Sequence, residues 1–344
     1  MVLPVLLSFI RIDRWSRHFF LKIYLTFLLL FIGYRYNVGM DWNNYVFLVN
    51  NMRLHNFSSV FDYSEIASNA AIWLASRSKY GIVTLNLISG AIMCIGLYLF
   101  ARATENPWMT LVVTIPYYVI VIMSATRQAM AIYIIFALYA YWDRTSLITK
   151  FVTILIASLF HTSAFICVVL IIPNVLALST LKRLVTGGAM AVGSFYFMFK
   201  RESSIEQLDY YDQTYIEYAN VVNSPGAITH VLMIFLPSLA YIIYRKKWIS
   251  KYSDNNLIFR LCIVSIMLFP GVFFYSTAFD RLSLYFSAGA LVVLSSMPRV
   301  LTNHPKSRTL FEMAMASFQL LILYVWLEYG NSASAWLPYR NILF

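Results

Sequence analysis

An all-α, polytopic integral membrane protein is what this sequence predicts, on three observations. Only 12% of its 344 residues are charged and 60% are apolar, against roughly 25% and 45–50% in an average soluble domain. Apolar stretches of about the length needed to cross a bilayer follow one another along nearly the whole chain. Lys and Arg gather in alternate loops, the asymmetry expected of cytoplasmic loops. Taken together, these exclude a soluble fold. They also change the meaning of the net charge of +11, which in a soluble chain would suggest a nucleic-acid partner.

The elements follow in order. Residues 2–10 form a short apolar run with its positive charges after it and no small-residue cleavage site, the reverse of a signal peptide. A retained short or re-entrant helix is expected there. Residues 19–34 form the next span, and residues 35–79 a polar outer segment containing an amphipathic or re-entrant stretch, SEIASNAAIWLASRSKY. Spans 80–100, 108–124 and 129–142 come next. The apolar stretch 150–178 is interrupted by His161, Thr162 and Ser163, so two short helices, 150–160 and 163–178, are predicted to meet at that polar trio. Span 184–199 leads to a second outer loop, 200–226, rich in acids and tyrosines. Spans 227–244, 257–277, 282–298 and 309–327 complete 11–12 transmembrane helices in one polytopic domain over residues 1–344, the lower number holding if residues 2–10 do not cross.

Placing the segment RIDRWSR in the cytoplasm puts 17 Lys and Arg and 5 Asp and Glu inside, and 9 and 10 respectively outside. The basic excess is therefore an inner-face signal over a nearly neutral outer face. Because both large loops lie outside and inner loops are short, the working surface is expected outside. Cys94, Cys167 and Cys262 sit in apolar runs with no metal-ligand or disulfide spacing.

Few residues remain that could carry chemistry. In GYRYNVGMDWNNY, residues 33–45, a turn at Gly39 can bring Arg35 and Asp41 to one pocket; interfacial anchoring by the aromatic residues is the competing reading. Arg127 and Gln128 stand between two apolar runs with almost no loop, where a guanidinium either meets an anion or reaches the headgroups. Asp280 and Arg281 in STAFDRLSLYF repeat that situation, with mutual pairing as the alternative. His161 is either a packing residue or a base. His55 and His230 are outward but ordinary. In the second loop, Tyr211 and Tyr215 among carboxylates suit a hydroxyl-rich ligand as well as an interfacial belt. There is no nucleotide-binding loop and no acidic pair suited to hold a metal over a nucleotide-sugar, so no cofactor or metal is expected and any transferred group must arrive already activated.

These motifs taken in order, RYNVGMDWNNY, Glu65, TRQAMA, SLFHTSAF, FDRLSLYF and WLPYRNILF, resemble those of the EpsG-like and Wzy-type bacterial polysaccharide polymerases. The resemblance implies a GT-C-like membrane glycosyltransferase in the bacterial inner membrane, its site facing the periplasm or cell exterior. It would transfer a growing glycan from undecaprenyl diphosphate to the non-reducing end of a second lipid-linked repeat unit. On that reading Arg127, Arg281 and Arg35 clamp the diphosphate, and Asp41, His161 and Glu65 are candidate bases, Asp41 and His161 ahead. Gln128, Asp280, Tyr45, Tyr285, Tyr339, Arg340, Tyr211 and Tyr215 would line the glycan path. Partners would be the lipid-linked donor and acceptor, the bilayer and a chain-length regulator, with no nucleic acid. An O-antigen ligase, or a flippase or other transporter, is the alternative.

Overall fold

The computed structural model describes residues 2–9, 13–62, 64–177, 179, 180, 182, 226–252, 255–330 and 332–343. Its helices are α1 (Val2–Phe9), α2 (Arg14–Gly33), α3 (Trp42–Met52), α4 (Ile66–Arg77), α5 (Ile82–Arg102), α6 (Pro107–Thr114), α7 (Thr126–Ala140), α8 (Leu147–Phe160), α9 (Ile172–Leu176), α10 (Ala227–Ile243), α11 (Arg245–Lys251), α12 (Asn256–Leu268), α13 (Ser276–Ser283), α14 (Ser287–Leu301) and α15 (Pro305–Tyr329). No strand occurs among the described residues; a single antiparallel bridge joins Arg35 to Asn341.

Among the described residues, four apolar segments reach span length: Trp15–Gly33, Ile82–Arg102, Asn256–Phe273 and Pro305–Tyr329. Two bent pairs, α10 with α11 at 74° and α13 with α14 at 58°, would make six. Two of the other expected stretches are broken, each for a visible reason. Residues 108–124, read as one span, are α6 followed by a wider π turn at Ile115–Val119 and a tight turn at Ile122–Ser124. Pro116, inside that π turn, has no N–H to continue the ladder. The break expected at His161 is present: its backbone is extended, φ −154° and ψ 120°, between α8 and a tight 3₁₀ run at Thr162–Ile171. The expected span 184–199 and most of the loop 200–226, with Tyr211 and Tyr215, lie outside the described residues.

The main core joins α2, α5, α6, α7 and α14, with Trp108, Tyr133 and Phe136 fully enclosed. A methyl at Gly96 on α5 would lie 2.2 Å from the Tyr133 carbonyl oxygen of α7, so only glycine permits that approach. Large apolar side chains also stand on the outside, Phe19, Ile23 and Phe27 of α2 and Phe318, Leu321 and Tyr324 of α15 among them. An apolar exterior over a packed interior is the arrangement lipid requires. The chain is a multi-pass membrane protein.

The helix ends sort into two groups. At one end Arg299 pairs with Glu105 at 3.8 Å, Lys251 donates to the Thr302 carbonyl and Asn106 to that of Ser8. Six distant segments meet at the other end, and the described residues among those singled out from the sequence lie on them.

Candidate active site

Glu65 is the hub. It precedes α4, and its carbonyl accepts hydrogen bonds from Ser68 Oγ at 2.9 Å and Asn69 Nδ2 at 3.0 Å, which fixes the turn. Its carboxylate reaches into the protein. Oε2 accepts from Arg127 Nη1 at 2.8 Å, and Oε1 accepts from His161 Nδ1 at 2.7 Å and from the Thr162 amide at 3.1 Å. Burial opposes ionisation of this group, but the hydrogen bond from His161 and the charge of Arg127 outweigh it and hold the carboxyl at about 2. Glu65 is therefore a carboxylate at neutral pH and can only accept. Nδ1 of His161 is therefore the donor in this hydrogen bond.

Each partner is delivered by a local break. Arg127 stands in the first turn of α7, just after the turn at Ile122–Ser124, and its amide donates to Tyr45 Oη at 3.2 Å. His161 ends α8 by leaving helical geometry, while its amide still bonds back to Ala157.

Asp41 approaches from another direction. Asn37, at φ 52°, and Gly39, at φ 105°, turn the chain through the left-handed region; the Gly39 amide donates to the Ala335 carbonyl at 2.8 Å and the Asp41 amide to Ser124 Oγ at 3.1 Å. Asp41 stands at the N-terminus of α3 without capping it, and its carboxylate makes no hydrogen bond among the described residues. Burial raises its pKa; the charges of Arg281 and Arg127 pull the other way. Arg281 lies in the last turn of α13, with its guanidinium exposed and unpaired among the described residues, and its carbonyl accepts from Gln128 Nε2 at 3.0 Å. Gln128 thus ties the two arginines together.

Asp280 points away from Arg281. It accepts from His230 Nδ1 at 3.2 Å, its Oδ1 is buried without a partner among the described residues, and the His230 ring lies 4.4 Å from that of Tyr117. His230 is the residue that sequence reasoning passed over. Fifty positions separate it from Asp280, and no motif signals the pairing. Ser124 and Thr162 were visible only as neighbours of the motifs that contain them.

Other expected site residues serve as supports. Arg35 is only 2% exposed; it donates to the Ile32 carbonyl at 3.1 Å and Thr126 Oγ1 at 3.3 Å, and burial brings it down to about 10, still cationic at neutral pH. It packs behind the start of α7, whereas Arg127 and Arg281 face Asp41. Tyr45 is spent on the Arg127 amide. Tyr285 is fully enclosed, with its hydroxyl 3.0 Å from Ser163 Oγ. Tyr339 stacks on Phe31 at 4.2 Å, and Arg340 contributes its carbonyl to the Tyr36 amide at 2.9 Å while its side chain is exposed. Trp336 closes this side by donating to the Ile120 carbonyl at 2.8 Å.

The arrangement offers an imidazole held through Nδ1 by a carboxylate, a second carboxylate without hydrogen bonds among the described residues, and two guanidinium groups suited to a polyanion. A family model, that of the EpsG family, matches residues 18–341. No curated protein and no solved structure matches the chain.

Proposed function

The chain belongs to the EpsG family, and from that premise we propose that it is a polysaccharide polymerase acting on lipid-linked repeat units at the outer face of the bacterial inner membrane. The observation that carries the reading is the Glu65 carboxylate bridging Arg127 and His161, with Asp41 and Arg281 alongside. The donor is a glycan on undecaprenyl diphosphate. Arg127 and Arg281 bind the diphosphate through charge-assisted hydrogen bonds and stabilise the charge that grows on it as it leaves. His161 Nε2 takes the proton from the non-reducing-end hydroxyl of the acceptor unit. That oxygen forms a bond to the anomeric carbon of the donor, the bond from that carbon to the diphosphate oxygen breaks, and the electron pair departs with undecaprenyl diphosphate. Glu65 holds the imidazole ring and supports the positive charge it acquires. Asp41 orients the acceptor hydroxyls. In this reading the guanidinium groups do what a metal does in other glycosyl transfers.

Purified protein incubated with lipid-linked repeat units, without nucleotide, should give a ladder of polymer on a gel. Arg127→Ala and Arg281→Ala, expressed and folded, should each lower the rate by about 10²-fold or more, the scale of losing one preorganised charge-stabilising donor. Wild-type polymer length in both variants would sink the clamp. A knockout that traps repeat units at the inner face, in place of exporting single-repeat glycans, would favour a flippase.

A further inference from the structure

A cationic cavity lies beside α3, lined by none of the residues of the Glu65 hub. It has a volume of about 190 Å³ and is lined by Asn50 at the end of α3, Arg53 just beyond it, and Lys79, Tyr80 and Gly81 at the entrance to α5. Its two cations are held differently from those of the hub. Arg77 spends its guanidinium on the carbonyls of Arg53, at 3.0 Å, and of His55, which pins the Arg53 backbone. The Arg53 side chain lies over Gly81, its Nη2 3.5 Å from where a Cβ would stand, and makes no hydrogen bond or ion pair among the described residues. The Lys79 ammonium rests 4.8 Å from the Tyr80 ring and likewise meets no carboxylate there. Both are exposed cations on one cavity whose lining holds no carboxylate, so a dianion seated there would meet both.

We propose that this cavity binds the diphosphate of the acceptor lipid. The inference rests on the polymerase reading. In that reaction only the donor diphosphate leaves; the acceptor keeps its own, so two lipid diphosphates must be held at once at the same bilayer surface. Arg127 and Arg281 serve the one that departs. The other must be displaced by the length of the acceptor glycan, because the attacking hydroxyl lies at the far end of that glycan. Helix α3 sets such an offset. Tyr45, which touches the Arg127 amide, and Arg53 are eight positions apart along it and its C-terminal extension, about 12 Å at the helical rise.

The shared chemistry is a membrane-lipid phosphate, and a phospholipid headgroup could also supply it, so the test separates the two. Wild-type protein and the double variant Arg53→Gln/Lys79→Gln, checked for folding by size-exclusion chromatography, are placed in nanodiscs of neutral lipid, with and without phosphatidylglycerol. They receive a lipid-linked donor and one of two labelled acceptors: the repeat unit on a prenyl carrier through a non-transferable phosphonate analogue of the diphosphate, or the same unit as its methyl glycoside. The variant should raise KM for the prenyl acceptor by about tenfold or more, the scale of one lost charge-assisted hydrogen bond, and should leave transfer to the methyl glycoside unchanged. Equal effects on the two acceptors, no effect on either, or a defect seen only with phosphatidylglycerol would overturn the proposal. Failure of wild-type protein to transfer to either acceptor would instead remove the polymerase reading itself.

Discussion

Glu65 shows how a single side chain organises a site that sequence spacing leaves scattered. With its pKa held at about 2, against 4.5 for an ordinary glutamate, its pairing stabilises the fold fully above about pH 4.5 and is lost as pH falls through about 2. Thermal unfolding of the wild type in detergent should show that loss below pH 4.5, and Glu65→Gln should remove this component of the pH dependence. The same substitution should cut polymer synthesis by about 10²-fold or more, since the imidazole loses the partner that fixes its tautomer. Asp41 behaves in the opposite sense. Burial raises its pKa, so ionisation costs stability as pH rises from 3.8 through the raised value. Asp41→Asn is therefore expected to keep or raise the melting temperature at pH 7 while abolishing the ladder; a large drop in melting temperature would show that the carboxylate is structural. The sequence marks Asp41, His161 and Arg127 because each interrupts an apolar or aromatic context. It leaves the choice among bases open, because Glu65 meets its partners 62 and 96 positions away, a distance that no local pattern encodes.

Elements here are placed by breaks as much as by helices. The polar trio at 161–163 predicts a break because three hydrogen-bonding side chains cannot all be satisfied inside an apolar helix, and the structure has that break. The interruption within 108–124 was less legible: Pro116 sits in an unbroken apolar run, and whether proline kinks or ends a helix depends on what repacks around it. Helix α13 depends on its neighbours most of all. It has eight residues, Asp280 is held by His230 on one side and the Arg281 carbonyl by Gln128 on the other. If Arg281 acts on the substrate, His230 is placed to position it through Asp280 and α13. His230→Ala should lower polymer synthesis by about tenfold with the protein still folded in the membrane, and His230→Gln, which restores a donor to Asp280, should recover most of it. Equal losses in the two variants would point to the ring's stacking on Tyr117 as its contribution. Gly39 is the equivalent pivot for the first outer turn. A Cβ there would meet Ser124 Oγ at 2.8 Å at a φ of 105°, so Gly39→Ala should cost on the order of 1–3 kcal/mol and displace the Ser124 hydroxyl that holds the Asp41 amide, a loss measurable as a lower melting temperature together with lower activity.

At the scale of the whole molecule, charge and connectivity make the same division independently. The loops assigned inside by counting Lys and Arg include those that meet in space around Glu105, Lys251, Arg299 and Thr302. Among the described residues, those assigned outside include the ones that converge on Glu65, with the bridge between Arg35 and Asn341 and the Ile342 amide donating to the Tyr34 carbonyl at 2.9 Å nearby. Cys94, Cys167 and Cys262 are buried within apolar helical segments, so the wild-type chain gives little background for a labelling test of orientation. Asn56, Ser250 and Ser307 are exposed and lie away from the hub. In intact cells stripped of outer barriers, a membrane-impermeant maleimide should label Asn56→Cys, and should label Ser250→Cys and Ser307→Cys only after the membrane is permeabilised. The reverse pattern would turn the molecule over and put Glu65, Arg127 and His161 in the cytoplasm, where nucleotide-sugars are available, removing the argument that the donor must arrive as a lipid diphosphate. The orientation of the whole chain is thus the premise on which the chemistry assigned to its few charged residues rests.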